Sequence, residues 1–329
     1  MPRRRSVAFA LAVAIAAVGC GGTLDAGRDK AHGLLPVDER NPVIIDNDQW
    51  SDNWMGEYAL LLANNGGPPV IGIIAGSSKY WGDANANAMG WTNLVTAAQA
   101  SGLKNIPAVT TSMSSPLVKP SDGQIDDTTG NGSPGAHKIV ELSQQWSLPY
   151  RPVVVLTGLP LTDVADAYLL DHRVKDRVVV VAALGSYAAP NGIMGGPNGD
   201  LDPWANWIVA QRFTYVQVST YYDQTGDVTT AELPNLPSNP LGTWMLNKQP
   251  NLYTIPTASD QVTALAVGLS SGTSTFVTSV VQATPDTSGG FDASQGLPLV
   301  PSTDGTAWVV TGIAAPLAKA RLWQMLYSL

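Results

Sequence analysis

The residues best suited to chemistry are three aspartates that follow a short apolar run near the start of the main pattern. Asp46, Asp48 and Asp52 lie within seven residues of one another, directly after Val43–Ile45. Carboxylates this close repel one another unless a positive charge offsets the repulsion, and such oxygen ligands suit Ca²⁺ or Mg²⁺. A solvated turn with a helix N-cap would need only one of them. The pattern therefore favours a metal site or an active site.

The aspartate motif alone does not choose between several kinds of site. An EF-hand loop also begins with Asp-x-Asp, and Glu57 falls at its twelfth position. However, Trp50 and Ser51 occupy the places where that loop needs an oxygen ligand and a glycine. Metal-dependent glycosyltransferases and aspartate-nucleophile phosphatases carry Asp-x-Asp after a strand as well, although the Thr or Gly expected downstream in phosphatases is missing. An enzyme acting on phosphate or sugar-nucleotide substrates therefore stays open.

The elements that must position this motif alternate between apolar runs and helical patterns. Strands are predicted at 43–45, 70–74, 153–156, 178–181, 215–218, 274–281 and 307–313, and helices at 53–64, 84–100, 162–170, 202–212 and 316–328. Ser51 or Asp52 is the predicted cap of the first helix. The alternation predicts a single α/β domain, Rossmann-like, with a mostly parallel sheet and helices on both faces. Ligands of such sheets bind beyond the carboxyl ends of the strands, where Asp46 and Asp48 fall.

Composition supports a globular core and excludes some partners. Hydrophobic residues make up 44% of the 329 residues, enough for a sizeable core. Lys and Arg number 18 against 26 Asp and Glu, a net charge of −8 that repels phosphate backbones, so nucleic acid is not an expected partner. Tryptophans on helical patterns are predicted to lie in the core: Trp54, Trp91, Trp204 and Trp207. Trp50, in the acidic loop, can stack on a base or sugar ring.

The amino terminus is typical of an export signal. Arg3–Arg5 precede an unbroken apolar run, Val7–Val18, whose twelve residues are fewer than the roughly 20 of a transmembrane helix. Small residues lead to Cys20, the only cysteine of the chain. This arrangement resembles a bacterial lipoprotein signal, in which the cysteine is lipidated after cleavage.

The domain boundaries follow from that resemblance. Residues 1–19 are the predicted signal peptide, 20–41 a poorly ordered tether, and 42–329 the α/β domain. The expected location is the bacterial cell envelope, with the membrane reached through a lipid anchor at Cys20. Without lipidation of Cys20 the protein would be secreted.

Three further motifs follow the aspartate loop in the chain. Thr157–Asp163 reads Thr-Gly-Leu-Pro-Leu-Thr-Asp after an apolar run, Asn198 stands four residues before Asp202-Pro203, and Asp260 opens a late apolar stretch. Taken in order over residues 42 to 270, these motifs resemble the inosine-uridine-preferring nucleoside hydrolase family. The resemblance implies Ca²⁺-dependent hydrolysis of the N-glycosidic bond of a nucleoside-like substrate, giving free base and ribose.

The resemblance also assigns roles to residues of this chain. Asp48 would be the base that activates water. The implied metal ligands are Asp48, Asn53, Thr157 through its backbone carbonyl, and Asp260. The implied substrate-binding residues are Asp52, Asn85 and Asn198, with Trp50 as an aromatic contact. The expected cofactor is Ca²⁺ and the expected partner a nucleoside-like small molecule, while a homo-oligomer is compatible with the sequence.

Departures from the family pattern support a competing reading. Gln49 and Trp50 replace the Pro-Gly that usually shapes the first loop. Asn53 stands where a second carboxylate ligand is expected, and Ser259 where many relatives place a histidine that helps the base leave. These losses favour the alternative of a non-catalytic, ligand-binding lipoprotein on the same fold.

Overall fold

The strands and helices are defined by a computed structural model, which describes residues 35–49, 54–77, 83–183, 197–218, 228–229, 231–248, 276–293 and 298–329. The strands are β1 (Val43–Asn47), β2 (Val70–Ala75), β3 (Val109–Thr111), β4 (Val153–Thr157), β5 (Val178–Ala183), β6 (Thr214–Val218), β7 (Val277–Pro285), β8 (Leu299–Pro301) and β9 (Ala307–Ile313). The helices are α1 (Met55–Asn64), α2 (Ala84–Ala100), α3 (Pro134–Trp146), α4 (Thr162–Leu170), α5 (Pro197–Leu201), α6 (Pro203–Arg212), α7 (Pro240–Lys248) and α8 (Ala315–Tyr327).

A mostly parallel sheet forms the centre of the fold. Within the described residues it has nine strands in the order β3-β2-β1-β4-β5-β6-β9-β7-β8. The neighbours from β3 to β9 are parallel, whereas β7 runs antiparallel to β9 and to β8 at one edge. The prediction of a mostly parallel α/β sheet is confirmed.

Helices cover both faces of this sheet. Along β1, Val43 and Ile45 join one apolar cluster with α1, α2, α7 and α8, while Ile44 joins a second cluster with α3, α4 and α6. The strand is therefore buried on both sides, which explains why its sequence reads as an apolar run without alternation. The same holds for β5, where successive valines enter opposite clusters. The four tryptophans predicted for the core are all buried.

Several elements differ from the sequence-based expectation. Helix α1 begins at Met55, and its N-cap is Trp54, without a side-chain cap bond, so the predicted cap by Ser51 or Asp52 is not the one observed. Helices α3 and α7 and the short strands β3 and β8 were not predicted. Helix α3 has a recognisable start, since the hydroxyl of Ser133 accepts a hydrogen bond from the Ala136 amide and a proline follows it. No helix in the described part of the chain is long and apolar enough to cross a bilayer.

The folded region includes the last residues of the predicted tether. Residues 32–329 form one compact unit. Leu35 and Val37 are buried among core residues. The Asn41 side-chain amide donates a hydrogen bond of 2.7 Å to the carbonyl of Pro152, next to the start of β4. These contacts place the beginning of packed structure several residues before the predicted boundary at 42.

Candidate functional site

The aspartate motif lies at the carboxyl edge of the sheet, at the end of β1 between β2 and β4. Asp46, in β1, pairs in register with Ile74 of β2 and with Thr157 of β4. Its side chain is 1% exposed, and neither carboxylate oxygen has a hydrogen-bond partner among the described residues. Asp48 follows directly after the strand and is also buried. The edge therefore holds two buried carboxyl groups, two residues apart.

Burial and mutual repulsion dominate the electrostatics of this edge. Burial raises the pKa of the Asp46 carboxyl well above its usual range, and the neighbouring charges of Asp163 and Asp48 raise it further. Burial also raises the pKa of Asp163, although hydrogen bonds from serine hydroxyls, including that of Ser133 at 2.6 Å, lower it. A buried carboxylate without a partner is costly unless a cation or a proton neutralises it.

These oxygen donors fit a hard divalent cation, but the described residues do not by themselves complete a metal site. Among them, no group of three or more His, Cys, Asp or Glu side chains could hold a metal ion. Of the four implied ligands, Asp48 and Thr157 are described, whereas Asn53 and Asp260 lie outside the described residues. The unpartnered oxygens of Asp46 are the observation that favours a positive charge here.

The turn after β4 is packed directly against the aspartate strand. The amide of Gly158 donates to the carbonyl of Asp46 at 3.1 Å. A side chain at Gly158 would place its Cβ 2.4 Å from Oδ1 of Asn47, so only glycine fits this close approach. Thr157 is fully buried, and its hydroxyl accepts a hydrogen bond of 3.1 Å from the Leu159 amide. The implied carbonyl ligand at Thr157 therefore lies at the end of β4, in register with Asp46.

Asn198 connects the ends of two neighbouring strands. Its side-chain amide donates to the carbonyl of Gly158 at 2.7 Å, after β4, and to that of Ala183 at 3.3 Å, at the end of β5. Asn198 is thus at the carboxyl edge, as the resemblance implies, and it also has a structural role.

Asp202, four residues on, is a structural residue. It is fully buried and accepts hydrogen bonds from the Leu117 amide at 2.9 Å and the Thr162 hydroxyl at 2.7 Å. It also caps α6 by accepting from the Ala205 amide at 3.0 Å.

The remaining predicted substrate residues are only partly placed. Trp50 and Asp52 lie outside the described residues. Asn85 is exposed in the first turn of α2, whereas Asn87 is buried and donates a hydrogen bond of 2.7 Å to the carbonyl of Gly76, just after β2. The residue of α2 that faces the carboxyl edge is therefore Asn87 rather than Asn85. Helical spacing could have indicated this, because Asn87 precedes the buried Trp91 by one turn.

Three polar residues beside the motif were not predicted as part of the site. Gln49 and Glu57 are buried, and Lys248 reaches them from a partly exposed position, with its ammonium 3.0 Å from Oε1 of Gln49 and 3.3 Å from Oε1 of Glu57. A glutamate inside the apolar helix α1 was the available signal, since a buried carboxylate needs a partner.

Comparisons with known proteins agree with this architecture. No protein-family profile matches the sequence, and no curated protein matches it. Solved structures do match. An inosine-uridine-preferring nucleoside hydrolase from Bacillus anthracis has a TM-score of 0.62 at 16% identity, over 88% of this chain and 100% of that one. A purine-preferring ribonucleoside hydrolase from Gardnerella vaginalis has a TM-score of 0.60 at 15% identity, over 88% of this chain and 98% of that one.

A bacterial effector has the same fold. The type III effector XopQ, complexed with adenosine diphosphate ribose, has a TM-score of 0.56 at 13% identity, over 90% of this chain and 95% of that one. Identities this low establish a shared fold and nothing finer. The chain therefore has a nucleoside hydrolase-like fold, with its acidic motif at the carboxyl edge of the central strands.

Proposed function

We propose that the protein is a Ca²⁺-dependent hydrolase that cleaves the N-glycosidic bond of a nucleoside-like substrate. The observation that carries this proposal is the buried, unpartnered carboxylate of Asp46 beside Asp48, at the carboxyl edge of a nucleoside hydrolase-like fold. Buried carboxyl groups at this place are suited to a bound cation and to a positively charged transition state.

Four residues would hold the calcium ion. They are Asp48, Asn53, Thr157 through its carbonyl and Asp260, all oxygen donors of the type that Ca²⁺ prefers. A bound ion would supply positive charge that orients the attacking water and makes it more acidic than bulk water. The unpartnered oxygens of Asp46 fit a nearby positive charge, although Asp46 is not one of the implied ligands.

The protein's own side chains would perform the remaining steps. Asp48 takes a proton from the attacking water, whose oxygen bonds to the anomeric carbon while the carbon–nitrogen bond breaks and the base leaves with the electron pair. Asp52 and the oxygen of Asn198 orient the sugar hydroxyls. Nearby carboxylates stabilise the oxocarbenium-like charge that develops on the ribose. Trp50 would stack on the base or the sugar.

The test is ribose release by the full-length protein in detergent. Purine and pyrimidine nucleosides are supplied with Ca²⁺ or with a chelator. We expect release that needs Ca²⁺ and that is lost in Asp48→Asn, whereas Asp286→Asn, in an exposed turn after β7, keeps it. Release that continues in Asp48→Asn at the wild-type rate would contradict the assignment of the base.

A second candidate is a ligand-binding lipoprotein without catalysis. Asn53 and Ser259, at positions where the resemblance implies a carboxylate and a histidine, support it. The same assay separates the two functions. A folded protein that binds a nucleoside by calorimetry but releases no ribose from any substrate would favour the binding protein.

The proposed location is the bacterial cell envelope, with a lipid anchor at Cys20. It rests on the sequence of the amino terminus, where Arg3–Arg5 and Val7–Val18 precede the only cysteine. Detergent phase partitioning tests it. The wild type should enter the detergent phase and Cys20→Ser the aqueous phase, and equal partitioning of both proteins would exclude the anchor.

A further inference from the structure

A buried polar cluster lies directly against the loop that carries Asp48. It consists of Gln49 in the loop, Glu57 in α1 and Lys248 at the end of α7, and we name these three residues the loop clamp. The Lys248 ammonium is 3.0 Å from the Gln49 side-chain oxygen and 3.3 Å from a Glu57 oxygen. The Lys248 side chain is 10% exposed and that of Glu57 is fully buried. The clamp therefore joins three separate segments in a setting of little solvent.

The backbone at Gln49 has a conformation that needs such support. Its φ angle is 65°, in the left-handed region that costs a non-glycine residue energy and persists where surrounding contacts hold it. Two glycines lie beside the side chain. A Cβ at Gly56 would lie 3.0 Å from the Gln49 side-chain nitrogen, although it would first meet the Trp91 ring at 2.2 Å, and a Cβ at Gly90 would be in ordinary contact, 3.4 Å from the Gln49 Cβ. The Gln49 side chain thus lies against α1 and α2 and is hydrogen-bonded to Lys248 of α7.

The residue that precedes Asp48 in the chain is held as well, by α2. The Trp91 indole of α2 donates a hydrogen bond of 3.0 Å to the carbonyl of Asn47. Asp48 therefore lies between one residue held by α2 and another held by the clamp. Lys248 precedes Asp260, the last implied metal ligand, by twelve residues in the sequence.

We propose that the loop clamp positions Asp48 for metal binding, with Gln49 as the positioning residue and Lys248 as its anchor. A buried ion pair contributes little net stability but can specify one arrangement of the chain. Here the arrangement that it specifies is the left-handed turn next to Asp48. This inference rests on the proposed function, because it concerns the same metal site.

The test compares three variants with the wild type. Gln49→Gly keeps the left-handed turn accessible but removes the clamp contact. Lys248→Met keeps the aliphatic stem but leaves Glu57 unpaired, so a variant with both Glu57→Gln and Lys248→Met provides a charge-neutral alternative if the single variant fails to fold. Lys319→Met, which breaks a different Lys–Glu pair 3.2 Å from Glu232, is the matched control.

Two readouts are measured, the Ca²⁺ dissociation constant by calorimetry and amide hydrogen exchange in peptides covering Asp46 to Gln49. We expect Gln49→Gly and the charge-neutral double variant to weaken Ca²⁺ binding by about 10-fold to 100-fold and to accelerate exchange, with the Lys319→Met control at wild-type values. The melting temperature of Gln49→Gly should stay within the shift of that control.

Wild-type Ca²⁺ affinity and exchange in Gln49→Gly would overturn the positioning role. A lower melting temperature with unchanged affinity would show that the clamp only supports the fold, and would overturn it as well. A wild-type protein that binds no Ca²⁺ would contradict the proposed function instead. In that case, unchanged hydrogen exchange in the variants would contradict the proposed role of the clamp. Faster exchange would still support the proposal that the clamp restrains the loop.

Discussion

Replacing Asp202 by alanine should destabilise the protein far more than the loss of an ordinary helix cap. Asp202 is fully buried and accepts three hydrogen bonds, from the Leu117 amide, the Thr162 hydroxyl and the Ala205 amide. In Asp202→Ala these three donors lose their partner without access to water. A buried donor left unpaired costs about 1–3 kcal/mol.

The magnitude follows from opposing contributions. Three unpaired donors at the middle of that range would cost about 6 kcal/mol, and removing the burial cost of the carboxylate returns part of it. We therefore expect a loss of about 3–5 kcal/mol in the free energy of unfolding, or roughly 6–15 °C in melting temperature. The free energy of unfolding of a typical domain is about 5–15 kcal/mol in total, so the variant should still fold.

The assay is denaturant unfolding at pH 7, with Asp83→Ala as the matched control. Asp83 caps α2 by accepting a hydrogen bond from the Ala86 amide, but it is exposed and makes that single contact in the cap. Its replacement should cost only about 1 kcal/mol. A cost for Asp202→Ala no greater than that for Asp83→Ala would refute the reasoning.

The pH dependence of Asp202→Asn gives a second check with a defined sign. Burial raises the pKa of the Asp202 carboxyl, and its hydrogen bonds lower it by less. The folded protein therefore holds this proton more tightly than the unfolded chain, so the contribution of Asp202 to stability falls as pH rises above about 4. Asp202→Asn should therefore lower the free energy of unfolding more at pH 4 than at pH 7. A loss that grows with pH would mean that the hydrogen bonds lower the pKa of Asp202 by more than burial raises it.

Two further substitutions test the packing away from the site. In Gly305→Ala the new Cβ would lie 1.8 Å from the carbonyl oxygen of Ala283 in β7, so the backbone must shift. We expect the free energy of unfolding, measured by thermal unfolding, to fall by about 1–3 kcal/mol. Wild-type stability would show that the turn before β9 adapts freely. Tyr58→Phe removes the 2.7 Å hydrogen bond from α1 to the Ala318 carbonyl of α8. The free energy of unfolding should fall by about 1 kcal/mol in the same measurement. No change would mean that this hydrogen bond contributes nothing to stability.

The sheet could be predicted because its strands carry their own signal. Strands such as β1 and β5 are buried on both faces, and the resulting apolar runs are visible without any knowledge of the fold. The elements that were missed have weaker signals. Strand β3 has three half-buried residues at the sheet edge, and helix α7 follows a stretch rich in proline and asparagine. Local composition gives little signal for such elements because it does not report tertiary packing.

The candidate site could be predicted only in part. The position of Asp46 and Asp48 at the carboxyl edge followed from a strand ending in aspartates. Which asparagine of α2 is turned towards the sheet depends on how the helix is rotated, and the sequence resemblance did not specify that rotation: Asn85 is exposed, whereas Asn87 is buried. The contact of Gln49 with Lys248 joins residues 199 positions apart, and no local pattern marks such a pair.

The strand order has a consequence for how the chain matures. Strand β9 lies between β6 and β7, so β6 gains this neighbour only when residues beyond 306 are available. Pairings between segments so distant in sequence are slow to form, because the connecting chain must lose entropy before any contact repays it. The pairing of β6 with β9 is therefore a late step of folding, and the strands from β3 to β6 can pair with one another before it.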